Sequence, residues 1–218
     1  MKKENRVEQY LMAGIHIAIY CILPMIGFMT WVLCVPILFY GGMMTSVDDA
    51  QGLGQTLLVF SAPMLLFFAV IPVLFQLRRV SVRELGIKFS YDKKNIVVFG
   101  INCFIVIILL GRLVLNFNSP LDALPIVFQL CVIGISEEIL CRGIIYHEIE
   151  SGFGNKWFAV ILSSMIFAFL FHSGDTDLAN LAIRFPLGLA LALVRCYTGN
   201  VYSSIMMHIW YNSWMFIL

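Results

Sequence analysis

The chain has 218 residues, of which 61% are hydrophobic and only 12% are charged. Average soluble domains contain about 45–50% apolar and about 25% charged residues, so a single water-soluble core cannot hold this much apolar surface. The formal net charge is +1, and this balance gives no reason to expect a nucleic-acid partner. Composition therefore predicts an integral membrane protein whose surroundings are the lipid bilayer.

The apolar residues are grouped into stretches long enough to cross a membrane. A spanning helix needs about 20 mostly apolar residues, and the first stretch lacks the small-residue cleavage site of a signal peptide, so we expect it to be retained. The sequence predicts an all-α, polytopic bundle of about seven transmembrane helices in a single domain, residues 1–218. The expected spans are 9–33, 56–77, 95–116, 121–149, 157–173, 178–196 and 200–217.

The basic residues of the connections alternate between the two ends of the spans. Lys2, Lys3 and Arg6 precede the first span, and residues 34–55 contain no Lys or Arg. Six basic residues then follow the second span: Arg78, Arg79, Arg83, Lys88, Lys93 and Lys94. Because cytoplasmic connections are enriched in Lys and Arg, we expect the N-terminus to face the cytoplasm.

Two adjacent carboxylates interrupt the fourth predicted span. Glu137 and Glu138 follow sixteen largely apolar residues, and Arg142 comes four residues after Glu138. Residues four apart share a helix face, so Glu138 and Arg142 are expected to form an ion pair. Glu137 is rotated by about 100° from that pair and has Cys141, not a base, one turn on. Glu137 is therefore the carboxylate left available for chemistry.

Two histidines and an amide complete the set of unexpected polar residues. His172 ends a phenylalanine-rich run, while His208 and Asn212 are four residues apart in the last span. Counted at about 1.5 Å per residue from the cytoplasmic ends of their helices, these side chains and Glu137 lie about 12–22 Å deep. Ionisable groups at such depth are costly and usually functional, so we expect one polar intramembrane site.

This donor set is compatible with two kinds of chemistry. In one, a glutamate and a histidine deprotonate a water molecule, while a second histidine and an amide stabilise an oxyanion. In the other, Glu137, His172 and His208 hold a divalent metal such as zinc, with water as its fourth ligand. The HExxH signature is absent, because Ser151 stands where the second histidine would follow His147 and Glu148.

Taken in order, these motifs resemble the CPBP intramembrane proteases. The resemblance rests on Glu137-Glu138-x-x-x-Arg142, on His172 after its phenylalanine-rich run, and on His208-x-x-x-Asn212. That family includes the CAAX prenyl endopeptidase of the Rce type and bacterial members called Abi or bacteriocin self-immunity proteins. The resemblance covers roughly the C-terminal half, which implies a catalytic core at approximately residues 121–218 and a bacterial plasma membrane as the location.

The resemblance also implies roles for individual residues. Glu137 corresponds to the glutamate that activates water and His172 to its partner, while His208 and Asn212 correspond to the pair that stabilises the oxyanion or holds a metal. Glu138 and Arg142 correspond to the supporting ion pair. One position departs from the usual pattern, since Ala168 stands where the family has a phenylalanine four residues before its histidine.

We therefore predict an intramembrane endopeptidase that acts on a hydrophobic or lipidated peptide, with either one divalent metal or none. The alternative is a membrane scaffold or bacteriocin-immunity protein that binds a membrane-protein partner without chemistry. A transporter that uses the Glu/His cluster as a proton relay is less well supported, because the sequence shows no internal repeat of the kind many carriers contain.

Overall fold

The computed structural model describes residues 4–174 and 176–218 of the chain. This part of the chain is almost entirely helical and contains no β-strand. It forms seven long helices, which confirms the predicted all-α fold. The helices are α1 (Glu4–Tyr40), α2 (Leu53–Gln76), α3 (Lys93–Leu115), α4 (Pro120–Phe153), α5 (Lys156–Phe171), α6 (Asp177–Thr198) and α7 (Tyr202–Ile217).

Five of these helices, α1 to α4 and α6, are long and apolar enough to cross a bilayer. Helix α5 is a shorter apolar helix, and α7 has 16 residues. Large apolar side chains such as Leu38, Phe104 and Ile107 are exposed on the outer faces of the bundle, as expected for surfaces that contact lipid. The chain is therefore a multi-pass membrane protein. Lys2 and Lys3, two of the basic residues used to predict its orientation, lie outside the described residues.

Helix α4 lies at the centre of the bundle and packs against each of the other six helices. Its 34 residues are more than a perpendicular crossing requires. In its C-terminal half Leu140, Ile144, Ile145 and Ile149 are fully buried. Because this half is surrounded by protein, its polar side chains meet other helices and not lipid.

Small residues allow the helices around α4 to approach one another closely. A Cβ atom on Gly134 of α4 would lie 2.6 Å from Cγ1 of Ile209 on α7. A Cβ atom on Gly188 of α6 would lie 3.2 Å from both the Phe167 ring and Ser164 on α5. Such small contact residues are typical of membrane helix interfaces. Here they allow the helices that carry the polar motifs to lie close to their neighbours.

Four helices contain wide, π-helical turns that the sequence did not predict. In α4 the turn Ile139–Ile145 begins directly after Glu138, and in α5 the turn Ile166–Phe171 ends directly before His172. The others lie at Asn180–Arg184 in α6 and at Leu57–Ser61 and Leu66–Val70 in α2. Single π-helical turns change the direction of side chains and occur frequently at functional sites.

Candidate active site

A cavity of about 570 Å³ lies between α4, α6 and α7. Its polar side is formed by the four residues that the sequence indicated: Glu137, His172, His208 and Asn212. The remaining lining is mostly apolar and consists of Leu130, Ile133, Ala179, Ile183, Arg184, Tyr211, Met215 and Phe216. The fold thus brings together polar residues from three separate segments of the chain in one cavity.

Glu138 and Arg142 form an ion pair that is completely buried. Arg142 Nη1 lies 2.9 Å from Glu138 Oε1, and neither side chain is accessible to solvent. Arg142 Nη2 also donates to the carbonyl oxygen of Gly188 at 3.1 Å. Two oxygen acceptors thus surround the guanidinium, which makes its burial tolerable, and the pair links α4 to α6.

His208 connects the two adjacent glutamates. Its Nδ1 lies 3.0 Å from Glu138 Oε1, and its Nε2 lies 3.8 Å from Glu137 Oε2. Because a carboxylate only accepts hydrogen bonds, the proton of this contact belongs to Nδ1. The gap at Nε2 is too long for a direct hydrogen bond, and a water molecule is the usual bridge across such a distance.

Glu137 is the carboxylate of the site that forms no hydrogen bond with the described residues. Its side chain is 15% exposed, and its Oε2 accepts no hydrogen bond from the part of the chain that the structure describes. Buried polar atoms are nearly always paired with protein or water. Oε2 itself is buried, whereas the side chain as a whole lines the cavity and is partly exposed, so the carboxylate is placed where it can meet a molecule in the cavity.

His172 lies just beyond the end of α5, close to the expected end of this span at about residue 173. The helix ends at Phe171, and His172 has non-helical backbone angles of φ −113° and ψ 33°. Its Nδ1 lies 2.9 Å from the carbonyl oxygen of Phe167, five residues earlier in the π-helical turn that ends at Phe171. With Nδ1 donating to this carbonyl, Nε2 keeps a lone pair.

The sequence of the cavity-forming region also matches a known protein family. Residues 118–214 match the family described as Rce1-like: Type II CAAX prenyl endopeptidase Rce1-like. This matched segment is a domain of the CPBP family. No curated protein and no solved structure matches the chain. The match supports a membrane-embedded protease that acts on a peptide substrate.

Phe167 lies beside Ala168 and occupies the space next to the two histidines. The Phe167 ring is fully buried and lies edge-on to His172 and His208, with centroid distances of 4.7 and 5.6 Å. Arg142 lies over the same ring, 4.4 Å from its centroid. The π-helical turn from Ile166 to Phe171 brings the residue five positions before His172 against it, where an α-helix would bring the residue four before. Phe167 therefore supplies an aromatic contact to the histidine.

Arg195 of α6 is a further buried basic residue. It falls within the predicted span 178–196, and in the structure it is only 6% exposed. Its Nε donates to the carbonyl oxygen of Arg142 at 3.1 Å, and Nη2 donates to that of Glu84 at 3.3 Å. Arg195 therefore stabilises the π-helical turn that holds Arg142.

The structure also tests whether the donor set fits a metal ion. Within residues 4–174 and 176–218, no three His, Cys, Asp or Glu side chains converge closely enough to hold one. Glu137, His172 and His208 line the same cavity, but as placed they do not form a ligand set. The described residues as arranged do not fit a metal ion.

Proposed function

We propose that this protein is an intramembrane endopeptidase that hydrolyses a peptide bond with a water molecule activated by Glu137. The observation that carries the proposal is the shared cavity of Glu137, His172, His208 and Asn212. The match to a protease family supports the reaction class. The residues that carry this chemistry lie in the proposed catalytic core, residues 121–218.

Glu137 acts as the general base in this proposal. It accepts a proton from water, and His172 orients the same water through the lone pair on Nε2. The water oxygen then attacks the carbonyl carbon of the substrate and forms a tetrahedral intermediate. As the C–N bond breaks, Glu137 returns the proton to the leaving nitrogen. A general base of this kind contributes about 10²–10⁴-fold to the rate.

His208 and Asn212 stabilise the oxyanion that forms on the attacked carbonyl. When protonated, His208 presents an N–H at Nε2 to the cavity while Nδ1 stays bonded to Glu138. The side-chain amide of Asn212, one helical turn further along α7, supplies a second donor. Each such donor is worth about 10²–10³-fold in rate. Glu138 is thus proposed as a positioning residue that orients the imidazole.

The cavity lining supports a hydrophobic or lipid-modified peptide as the substrate. Leu130, Ile133, Ile183, Met215 and Phe216 present apolar surface beside the polar groups. Such surface binds apolar side chains or lipid tails by excluding water.

We also propose a bacterial plasma membrane as the location.

A cytoplasmic N-terminus is part of the same proposal. Arg78, Arg79 and Arg83 lie in the connection between α2 and α3, at the same end of the bundle as the start of α1. Their number supports this orientation by the positive-inside rule.

The activity is best tested in cells that carry either the wild-type protein or Glu137→Gln. Membrane peptides are compared by mass spectrometry, and we expect at least one hydrophobic peptide to accumulate uncleaved in the variant. Cleavage of that peptide by the purified wild-type protein then completes the test. A binding scaffold predicts the opposite result, namely that Glu137→Gln leaves every peptide and every deletion phenotype as in the wild type.

Chelation is expected to leave the cleavage rate unchanged. The described donor atoms do not form a metal site, and Glu137 activates water without one in this proposal. The purified protein is treated with 1,10-phenanthroline, dialysed, and assayed on the peptide identified above. A loss of activity that zinc restores would contradict the metal-free mechanism and assign Glu137, His172 and His208 as ligands.

Phe167→Leu is expected to lower kcat roughly tenfold with little change in KM. Leucine fills most of the volume, so the free energy of unfolding should fall by only about 1 kcal/mol, but His172 and His208 lose their flat contact surface. Phe169→Leu is the matched control, because Phe169 lies in the same π-helical turn and is exposed. Equal effects of both substitutions on kcat would show that Phe167 does not position the histidines.

A further inference from the structure

A second cavity, of about 390 Å³, forms a groove between α1 and α2 and shares no lining residue with the candidate active site. One face of α1 lines it with residues at helical spacing: His16, Ile19, Tyr20, Leu23 and Pro24. The other side comes from α2 and the residues after it: Phe67, Ile71, Pro72, Phe75, Arg78 and Arg79. The groove is thus apolar along its length and basic at one end.

The length of the groove corresponds to one leaflet of a membrane. From His16 to Pro24 the α1 side extends about 12 Å, and from Phe67 to the end of α2 at Gln76 the α2 side extends about 14 Å. Half of the hydrocarbon thickness of a bilayer is about 15 Å. An acyl chain that begins at the basic end therefore fits along the groove.

Glu148 of α4 fixes one of the two arginines at the basic end. Arg79 Nη2 lies 2.7 Å from Glu148 Oε1, and His16 Nδ1 lies 3.1 Å from Glu148 Oε2. Arg79 Nη1 also lies 2.7 Å from His16 Nε2, which makes the imidazole an acceptor at Nε2 and a donor at Nδ1. Gln76 donates to the same carboxylate. This network orients Arg79 at the end of the groove.

Arg78 carries the charge that the network does not neutralise. Its guanidinium lies 4.9 Å from the centroid of the Phe75 ring, and it forms no ion pair with any residue in the described part of the chain. The side chain is exposed. Since Arg79 is the arginine that pairs with Glu148, the charge of Arg78 leaves the basic end of the groove with a net positive charge.

We propose that this groove is a binding site for an anionic phospholipid. The phosphate contacts Arg78 and Arg79, and one acyl chain lies between α1 and α2 along Leu23, Phe67 and Ile71. Arginine binds phosphate through several directed N–H donors, and arginines beside an apolar surface place their charge at the level of the lipid headgroups. The bound lipid completes the packing of α1 against α2.

Lipid retention by the purified full-length protein tests this site independently of proteolysis. The protein is exchanged into detergent that contains equal amounts of phosphatidylglycerol and phosphatidylcholine, washed, and examined by native mass spectrometry. We expect one retained phosphatidylglycerol, and a roughly tenfold loss of retention in Arg78→Gln because a charge-assisted hydrogen bond is removed. Excess inorganic phosphate should not displace the lipid, since it cannot occupy the apolar part of the groove.

Leu23→Trp provides a second variant, because the larger side chain fills the groove without changing its charge. We expect it to lose the lipid, whereas Arg112→Gln and Leu38→Trp, which alter exposed residues outside the groove, should retain it. Glu137→Gln should also retain it. Equal retention of both lipids, displacement by phosphate, or wild-type retention in Arg78→Gln and Leu23→Trp would each overturn the proposal.

Discussion

Replacing Glu137 by glutamine is expected to lower the rate of peptide cleavage by about 10²–10⁴-fold. Glutamine has nearly the same shape and still lines the cavity, but its amide cannot accept the proton of the attacking water. The Oε2 atom of Glu137 is not used by any hydrogen bond within the described residues, so the folded structure loses little. The measurement is kcat for the accumulated peptide, together with the thermal unfolding temperature of the purified protein.

Glu150→Gln is the matched control for this prediction. Glu150 lies on the same helix, α4, and undergoes the same chemical change, but it does not line the cavity. We expect wild-type kcat in this variant. If both variants cleave as fast as the wild type, Glu137 is not the base and the proposed mechanism is wrong.

Replacing Arg142 by methionine is expected to reduce the free energy of unfolding by about 3 kcal/mol. The substitution leaves the Glu138 carboxylate in a site that is inaccessible to solvent, and it also removes the donor to the Gly188 carbonyl. His208 remains as a partner of Glu138, so the loss should lie at the lower end of the range for broken buried ion pairs. Chemical unfolding of the purified protein in detergent measures it.

The double variant Glu138→Gln/Arg142→Met separates the loss of the pair from the burial of a lone charge. Because the double variant contains no unpaired carboxylate, we expect it to recover a substantial part of the stability. Arg112→Met, at an exposed position in the last turn of α3, is the control and should change stability little. A double variant less stable than Arg142→Met would show that the lone carboxylate is not the cause.

These two predictions depend on the different surroundings of two adjacent glutamates. Glu138 is held by Arg142 and His208, so its charge serves to fix the positions of α4, α6 and α7. Glu137, one residue earlier, lines the cavity. Neighbouring helix residues differ in direction by about 100°, and this rotation is enough to place one carboxylate in a buried ion pair and the other in the cavity wall.

The sequence by itself determined that the chain forms apolar helices, and it indicated four polar residues that line the cavity. In a bilayer the backbone must satisfy its hydrogen bonds within each segment, so the length of an apolar stretch is sufficient to predict a helix such as α3. The cost of burying an ionisable group likewise made Glu137, His172 and His208 stand out against their apolar neighbours. The i, i+4 spacing of Glu138 and Arg142 indicated their pairing for the same local reason.

Only the tertiary structure decided how those residues meet. The contact between His208 and Glu138 joins positions 70 residues apart, and no local periodicity encodes it. The π-helical turn that presents Phe167 to His172 and ends α5 one residue before the histidine leaves no mark in hydrophobic spacing. Arg195 binds the Arg142 carbonyl inside the protein, and these two residues are also far apart in the sequence. Contacts of this kind arise from the packing of several helices around α4, which a single segment of sequence does not specify.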